Sequence, residues 1–178
     1  GYVTKAAGGT GIEGVEVCAD QLTCPSYNTS AYTNASGFYI IEGLPAGNYE
    51  VSTSNDFVFV DLYWNNKLYW ENADTVIVTS DNTTEDINFS LRVGGKITGT
   101  VTLTGAPMIM ASIYATHTTS NYSYYGSANN YMGSSADYTI KRLPTGTYKV
   151  KTSNYLGYVD VYYDDEPSQA SADPVSVT

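Results

Sequence analysis

The chain has 178 residues, 42% of them hydrophobic, and a formal net charge of -10. That length allows one large domain or two small ones with real cores. An acidic chain without a basic cluster is repelled by phosphate backbones and anionic lipid surfaces. No apolar run approaches the ~20 residues of a membrane helix, so neither nucleic acid nor membrane insertion is expected.

The polar residues are Ser, Thr, Asn and 18 Tyr rather than Lys and Glu, and charged residues make up only 15%. Strand formers dominate and Ala/Leu/Glu/Lys-rich stretches are absent, which predicts an all-β protein. The chain opens at "GYVT" with no leader visible. Any export signal is therefore expected to have been removed or to lie outside this segment.

The first strand signal is "GYVT", followed by "GVEV". Cys18 and Cys24 then flank "ADQLT". A pair so spaced staples a loop in an oxidising compartment, stabilising by about 2–3 kcal/mol. Two free thiols and half of a metal site are the alternatives, and the single His, His117, lies far along the chain. Next comes "YIIEGLPAGNYEV" (Tyr39–Val51), two alternating runs around a turn. Pro45 suits the turn, Gly47 is expected to supply a positive φ, and Leu44 to plug the end of the fold. "LYWNNKLYW" (Leu62–Trp70) carries Trp64 and Trp70, which would stack on sugar rings if exposed or fill the core if not. "NTTEDINFSL" (Asn82–Leu91) alternates Ile87, Phe89 and Leu91 with polar residues, a strand over Asp86–Leu91 with one inward face.

After a seam near "LRVGGK" (Leu91–Lys96) the pattern returns. "YTIKRLPTGTYKVKTSN" (Tyr138–Asn154) lies on "YIIEGLPAGNYEVSTSN" (Tyr39–Asn55), and "VDVYYDDEPSQASADPVSVT" (Val159–Thr178) lies without a gap on "VDLYWNNKLYWENADTVIVT" (Val60–Thr79). Chance does not keep spacing over about forty residues, so one domain is present twice, over 1–92 and 93–178. Repeat two adds a Tyr- and Asn-rich stretch, "NYSYYGSANNYM", with Tyr124 and Tyr125 as further contact candidates. It reaches Thr178, the equivalent of Thr79, without a counterpart of Ile87–Leu91. Burying three such side chains contributes about 5–9 kcal/mol. Repeat two therefore reads as lacking its last strand, with an exposed sheet edge near Val175, Val177 and Thr178. A tandem array cut out of register, a strand supplied by a neighbouring subunit, and a fold that ends one strand early all fit.

Asp160, Asp164 and Asp165 offer oxygen ligands of the kind calcium uses, but match no calcium-loop spacing. Asp61 and Asp160 recur in both repeats, which suits structural hydrogen bonding. No other cofactor is suggested. Asn28, Asn34 and Asn121 head N-x-S/T triplets in loop-like stretches and are candidate glycan attachment points.

The pattern "GYVT … GVEV … TNASGFYIIEGLPAGNYEV" resembles the carboxypeptidase regulatory-like domain, a transthyretin-like (prealbumin-like) sandwich found in prokaryotic cell-surface proteins. The resemblance covers repeat one and, less closely, repeat two. It implies two tandem transthyretin-like/Ig-like β-sandwich domains without catalytic residues. The reading that follows is a secreted or cell-surface, non-enzymatic structural protein. It would be a subunit or segment of a filament or stalk that partners copies of itself or neighbouring repeats, with strand complementation as one means. The alternative is an accessory carbohydrate- or adhesion-binding module of a larger secreted protein.

Overall fold

The alternating stretches form strands, and the chain is all-β: among the described residues there is no α-helix. The computed structural model describes residues 1–23, 28–103 and 109–178. The chain divides into two β-sandwich units, Gly1–Val93 and Gly94–Thr178.

Unit 1 contains β1 (Val3–Lys5), β2 (Glu16–Gln21), β3 (Asn28–Tyr32), β4 (Gly47–Ser54), β5 (Val76–Val78) and β6 (Phe89–Leu91). One layer is the antiparallel sheet β3-β2-β4-β5. The other is β1 paired with β6, in parallel, in the register Val3↔Phe89 and Lys5↔Leu91. On the other side of β1, Tyr2 bridges Phe38. Inward side chains of both layers, including Val3, Val17, Tyr49, Phe89 and Leu91, form one core.

Unit 2 contains β7 (Gly95–Thr102), β8 (Ile109–His117), β9 (Ser123–Asn130), β10 (Ser135–Leu143), β11 (Gly146–Asn154) and β12 (Pro174–Val177). The sheet β12-β11-β8-β9 faces the antiparallel pair β10-β7. Ile97, Ile113, Ile140, Leu143 and Tyr148 fill its core.

The repeated phrase has a shared mechanical role. The Tyr49 hydroxyl donates to the Pro45 carbonyl at 2.8 Å, and the Tyr148 hydroxyl to the Pro144 carbonyl at 2.6 Å. Each turn is thus pinned by the first inward tyrosine of the strand that follows it, as in a tyrosine corner. The left-handed residue is not the expected one. Positive φ falls at Gly43 (φ 73) and at its counterpart Arg142 (φ 60), not at Gly47. Gly146 leaves room for the His117 ring, into which a Cβ there would run, and a Cβ at Gly47 would meet only the movable end of the Gln21 side chain.

Two further devices recur. Asn55 donates from Nδ2 to the Phe59 carbonyl at 3.1 Å and to Asp61 Oδ1 at 2.5 Å; Asn154 does the same to Tyr158 (3.0 Å) and Asp160 (2.9 Å). The pairs Asn65/Asn66 and Asp164/Asp165 all have φ near +60°, at 62, 59, 66 and 59. Each pair turns a tight hairpin closed by the bridges Tyr63↔Lys67 and Tyr162↔Glu166. Asn and Asp tolerate this left-handed geometry, which explains why these residue types recur there.

Candidate assembly edges

Phe89 and Leu91 are buried core residues of unit 1, and Ile87 packs half-buried beside them. The strand is shorter than expected, Phe89–Leu91 instead of Asp86–Leu91. Asp86 is left-handed (φ 64), which interrupts an extended run, and residues 82–88 lie outside any ladder. Ile87 still contributes through its carbonyl, which accepts from the Tyr39 hydroxyl at 2.7 Å.

In unit 2, β12 is an edge strand of the four-stranded sheet, paired on one side with β11. Val177 is buried, Val175 half-buried and Thr178 exposed. β5 occupies the same edge position in unit 1. Where the two units differ is on β7. In unit 1, β1 is flanked by β6. Among the described residues β7 pairs only with β10. Its inward residues Val101 and Leu103 are only partly covered by the core. Sequence alternation alone does not single these residues out. Their signal is indirect: it requires knowing that β6 returns across the whole unit to pair with β1, a non-local contact that local alternation does not encode.

The aromatic candidates part company. Trp64 packs against the unit 1 core, while Trp70 is 59% exposed in a single 3-10 turn. Tyr124 stacks edge-on with Tyr122 and Tyr148, at 5.3 and 6.1 Å, while Tyr125 on the same strand is 75% exposed. Alternation along β9 accounts for the opposite fates of Tyr124 and Tyr125.

Asp160 Oδ1 accepts from the Asn154 backbone amide (3.0 Å) as well as from its side chain, and Asp164 and Asp165 turn the hairpin. Among the described residues no group of three or more His, Cys, Asp or Glu is placed to hold a metal ion. Asn28, Asn34 and Asn121 are exposed. The Asn34 carboxamide oxygen already accepts from Ser36 and Phe38 amides at 3.0 and 3.1 Å, an Asx turn.

Cys18 carries a free thiol on β2, opposite Ser30. Cys24, its expected partner, lies outside the described residues. Burial first, then the carboxylates of Glu16, Asp20 and Asp61, push the Cys18 thiol up to about 11, so it is a poor nucleophile near neutrality. No helix among the described residues is long and apolar enough to cross a membrane. No family model matches this chain, and no curated protein matches it.

Proposed function

We propose that the protein is an extracellular structural protein, a subunit or segment of a surface filament or stalk, joined to its neighbours through its β-sandwich units. The scaffold is read as a tandem of carboxypeptidase regulatory-like, transthyretin-like sandwiches with a mechanical and not a catalytic role. The observation that carries this reading is the edge of β7 that has no strand partner among the described residues. A sheet edge with partly covered apolar residues is a template for another strand, and an assembling subunit needs such edges. Exposed N-x-S/T sites at Asn28, Asn34 and Asn121 fit the same setting.

The test is assembly. Purified full chain is concentrated at physiological salt, then followed by sedimentation and negative-stain microscopy. The reading expects elongated oligomers with a subunit repeat. A monomer that persists to millimolar concentration overturns it.

The exposure of Trp70 favours a second reading, an accessory carbohydrate-binding module. Glycan-array binding that is lost in Trp70→Ala would favour it over the filament.

A further inference from the structure

Unit 1 has an open cavity of about 710 Å³. One wall is the segment Tyr39–Leu44, the other is residues 82–88, and Tyr49, Val51 and Val76 of the facing sheet form the floor. In unit 2 the corresponding place is filled by protein. There Gly95–Thr98, the first half of β7, runs antiparallel to β10 with Ile97 opposite Ile140 and Gly95 opposite Leu143. Ile97 is buried, and Ile140 and Leu143 are 0% exposed beneath it. Their repeat equivalents Ile41 and Leu44, which face the cavity, are only half-buried.

The second half of the strand shows the reverse. In unit 1, β6 lies on β1, and Val3 and Tyr39 are buried at 0% and 6%. Their equivalents Val101 and Tyr138 are half-buried. Leu103 donates its amide to the Ser134 carbonyl at 2.8 Å, on the β10 side. By strand alternation the Thr102 amide points the other way, toward the open edge. The corresponding edge of β1 in unit 1 is paired with β6: the Phe89 amide donates to the Tyr2 carbonyl at 2.8 Å and the Ala6 amide to the Leu91 carbonyl at 2.9 Å.

The two openings are therefore the two halves of one kind of segment. Residues 86–98 of this chain hold both halves in sequence, "DINFSL" closing unit 1 and "GKIT" closing unit 2. We infer that both openings are strand-acceptor sites for a segment of that chemistry carried by a further unit of the same repeat. An apolar–polar–apolar strand of the Phe89–Leu91 type adds parallel to β7 over Val101 and Leu103. A strand of the Lys96–Thr98 type adds antiparallel to Tyr39–Leu44 and places its branched apolar side chain in the unit 1 cavity. The inference rests on the assembly reading and names its sites.

The probe is a synthetic peptide of residues 86–98, DINFSLRVGGKIT, added to the intact chain, with backbone hydrogen exchange as the readout. At about ten times its Kd the peptide is expected to slow exchange about tenfold at two separated places, Thr100–Leu103 and Ile40–Leu44. A peptide with Phe89→Asp and Leu91→Asp should lose the first effect and keep the second. A peptide with Ile97→Asp should do the opposite. These substitutions sit in the probe, so the protein's own folding is untouched. No slowing at either place, or slowing indifferent to the substitutions, overturns the inference. So does protection of Thr100–Leu103 that needs no peptide and grows with protein concentration, because the edge would then be a seam between two β7 strands. Chains that assemble yet refuse the peptide sink this inference alone. Chains that take the peptide at both places and never assemble sink the filament reading and leave the strand sites standing.

Discussion

Val3 and Tyr39 of unit 1 are buried under β6, whereas Val101 and Tyr138 of unit 2 are half-exposed; for the next layer the order reverses, with Ile140 and Leu143 buried and Ile41 and Leu44 half-exposed. Two copies of one sandwich thus share a turn, a tyrosine lock and two loop hairpins, yet differ in which strand completes the smaller sheet. Burial at each position follows which strand lies beside it more closely than it follows residue type. Ile, Leu, Val and Tyr occupy equivalent positions in both units with opposite coverage.

The strongest way to break this comparison is to remove what closes unit 1. Phe89 is 2% exposed on β6. Phe89→Ala is expected to destabilise unit 1 by about 3–5 kcal/mol, a large part of the ~5–15 that holds a domain together. Among the described residues of unit 2 none pairs with β7 as Phe89 does with β1, and unit 2 should keep its own transition. Urea unfolding followed by unit-resolved hydrogen exchange separates the two, and a loss shared equally by both units would refute the assignment of β6 to unit 1 alone.

A crossed pair of truncations sharpens it next. Leu143→Ala should cost about 3–5 kcal/mol, and Leu44→Ala about half of that, because a half-buried side chain leaves a smaller cavity. For the other layer the ranking inverts: Val3→Ala should cost about 2 kcal/mol and Val101→Ala less than about 1. The inversion is the point. If both unit 1 variants, or both unit 2 variants, proved the costlier, differing intrinsic stability of the units would explain the data better than strand coverage.

The shared features should respond alike. Tyr49→Phe and Tyr148→Phe each delete one hydroxyl that donates to a proline carbonyl, a loss of about 0.5–1.5 kcal/mol. Tyr148, whose bond is buried, should sit at the upper end and Tyr49, whose bond is part-buried, below it. Thermal melts of the two variants give the ranking.

How much of this the sequence discloses depends on the range of the contact. Alternation in "NYEV" and "TYKV", the proline turn and the paired Asn or Asp residues are local signals, and they correspond to β4, β11 and the two hairpins. The tyrosine–proline lock is hidden because the repeated Tyr looks like any inward aromatic, and its hydroxyl bond only exists once the turn has closed. A positive φ is expected at Gly47 since glycine usually marks it, but repeat two places Arg142 at the true position. The parallel return of β6 to β1 lies furthest from view: Val3 and Phe89 meet across almost the full length of the unit. For that reason local signals point to an open edge at Val175–Thr178, next to the last strand in sequence, and pass over β7.

The left-handed position itself gives a smaller test. At Gly43 (φ 73) nothing lies within reach of an added Cβ. Gly43→Ala therefore reports backbone strain alone, about 1 kcal/mol of destabilisation. A neutral Gly43→Ala in a chemical melt would mean that the loop relaxes to another conformation, and that the match with Arg142 is not under strain.

The smallest expected effect separates the units by charge. In unit 1, Asp20 and Glu50 face each other across β2 and β4; at the position of Glu50, unit 2 has Lys149, opposite Thr116. Burial first, and then Asp20, hold the Glu50 carboxyl above its usual range. A raised carboxyl means that the folded state prefers the proton. Unit 1 therefore has its full stability below the ordinary Glu range and loses some as pH climbs through that range and the higher folded value. Glu50→Gln removes the titration. It should stabilise unit 1 by about 0.2–1 kcal/mol near neutrality, the size of a directly opposed like-charge pair, and by nothing well below the ordinary Glu range, where the Glu50 carboxyl carries its proton. Unit 2 serves as the internal control in the same melts. A gain that persists unchanged at acid pH would trace to better packing of the substituted amide side chain, and the repulsion between Asp20 and Glu50 would then have no part in setting the stability of unit 1.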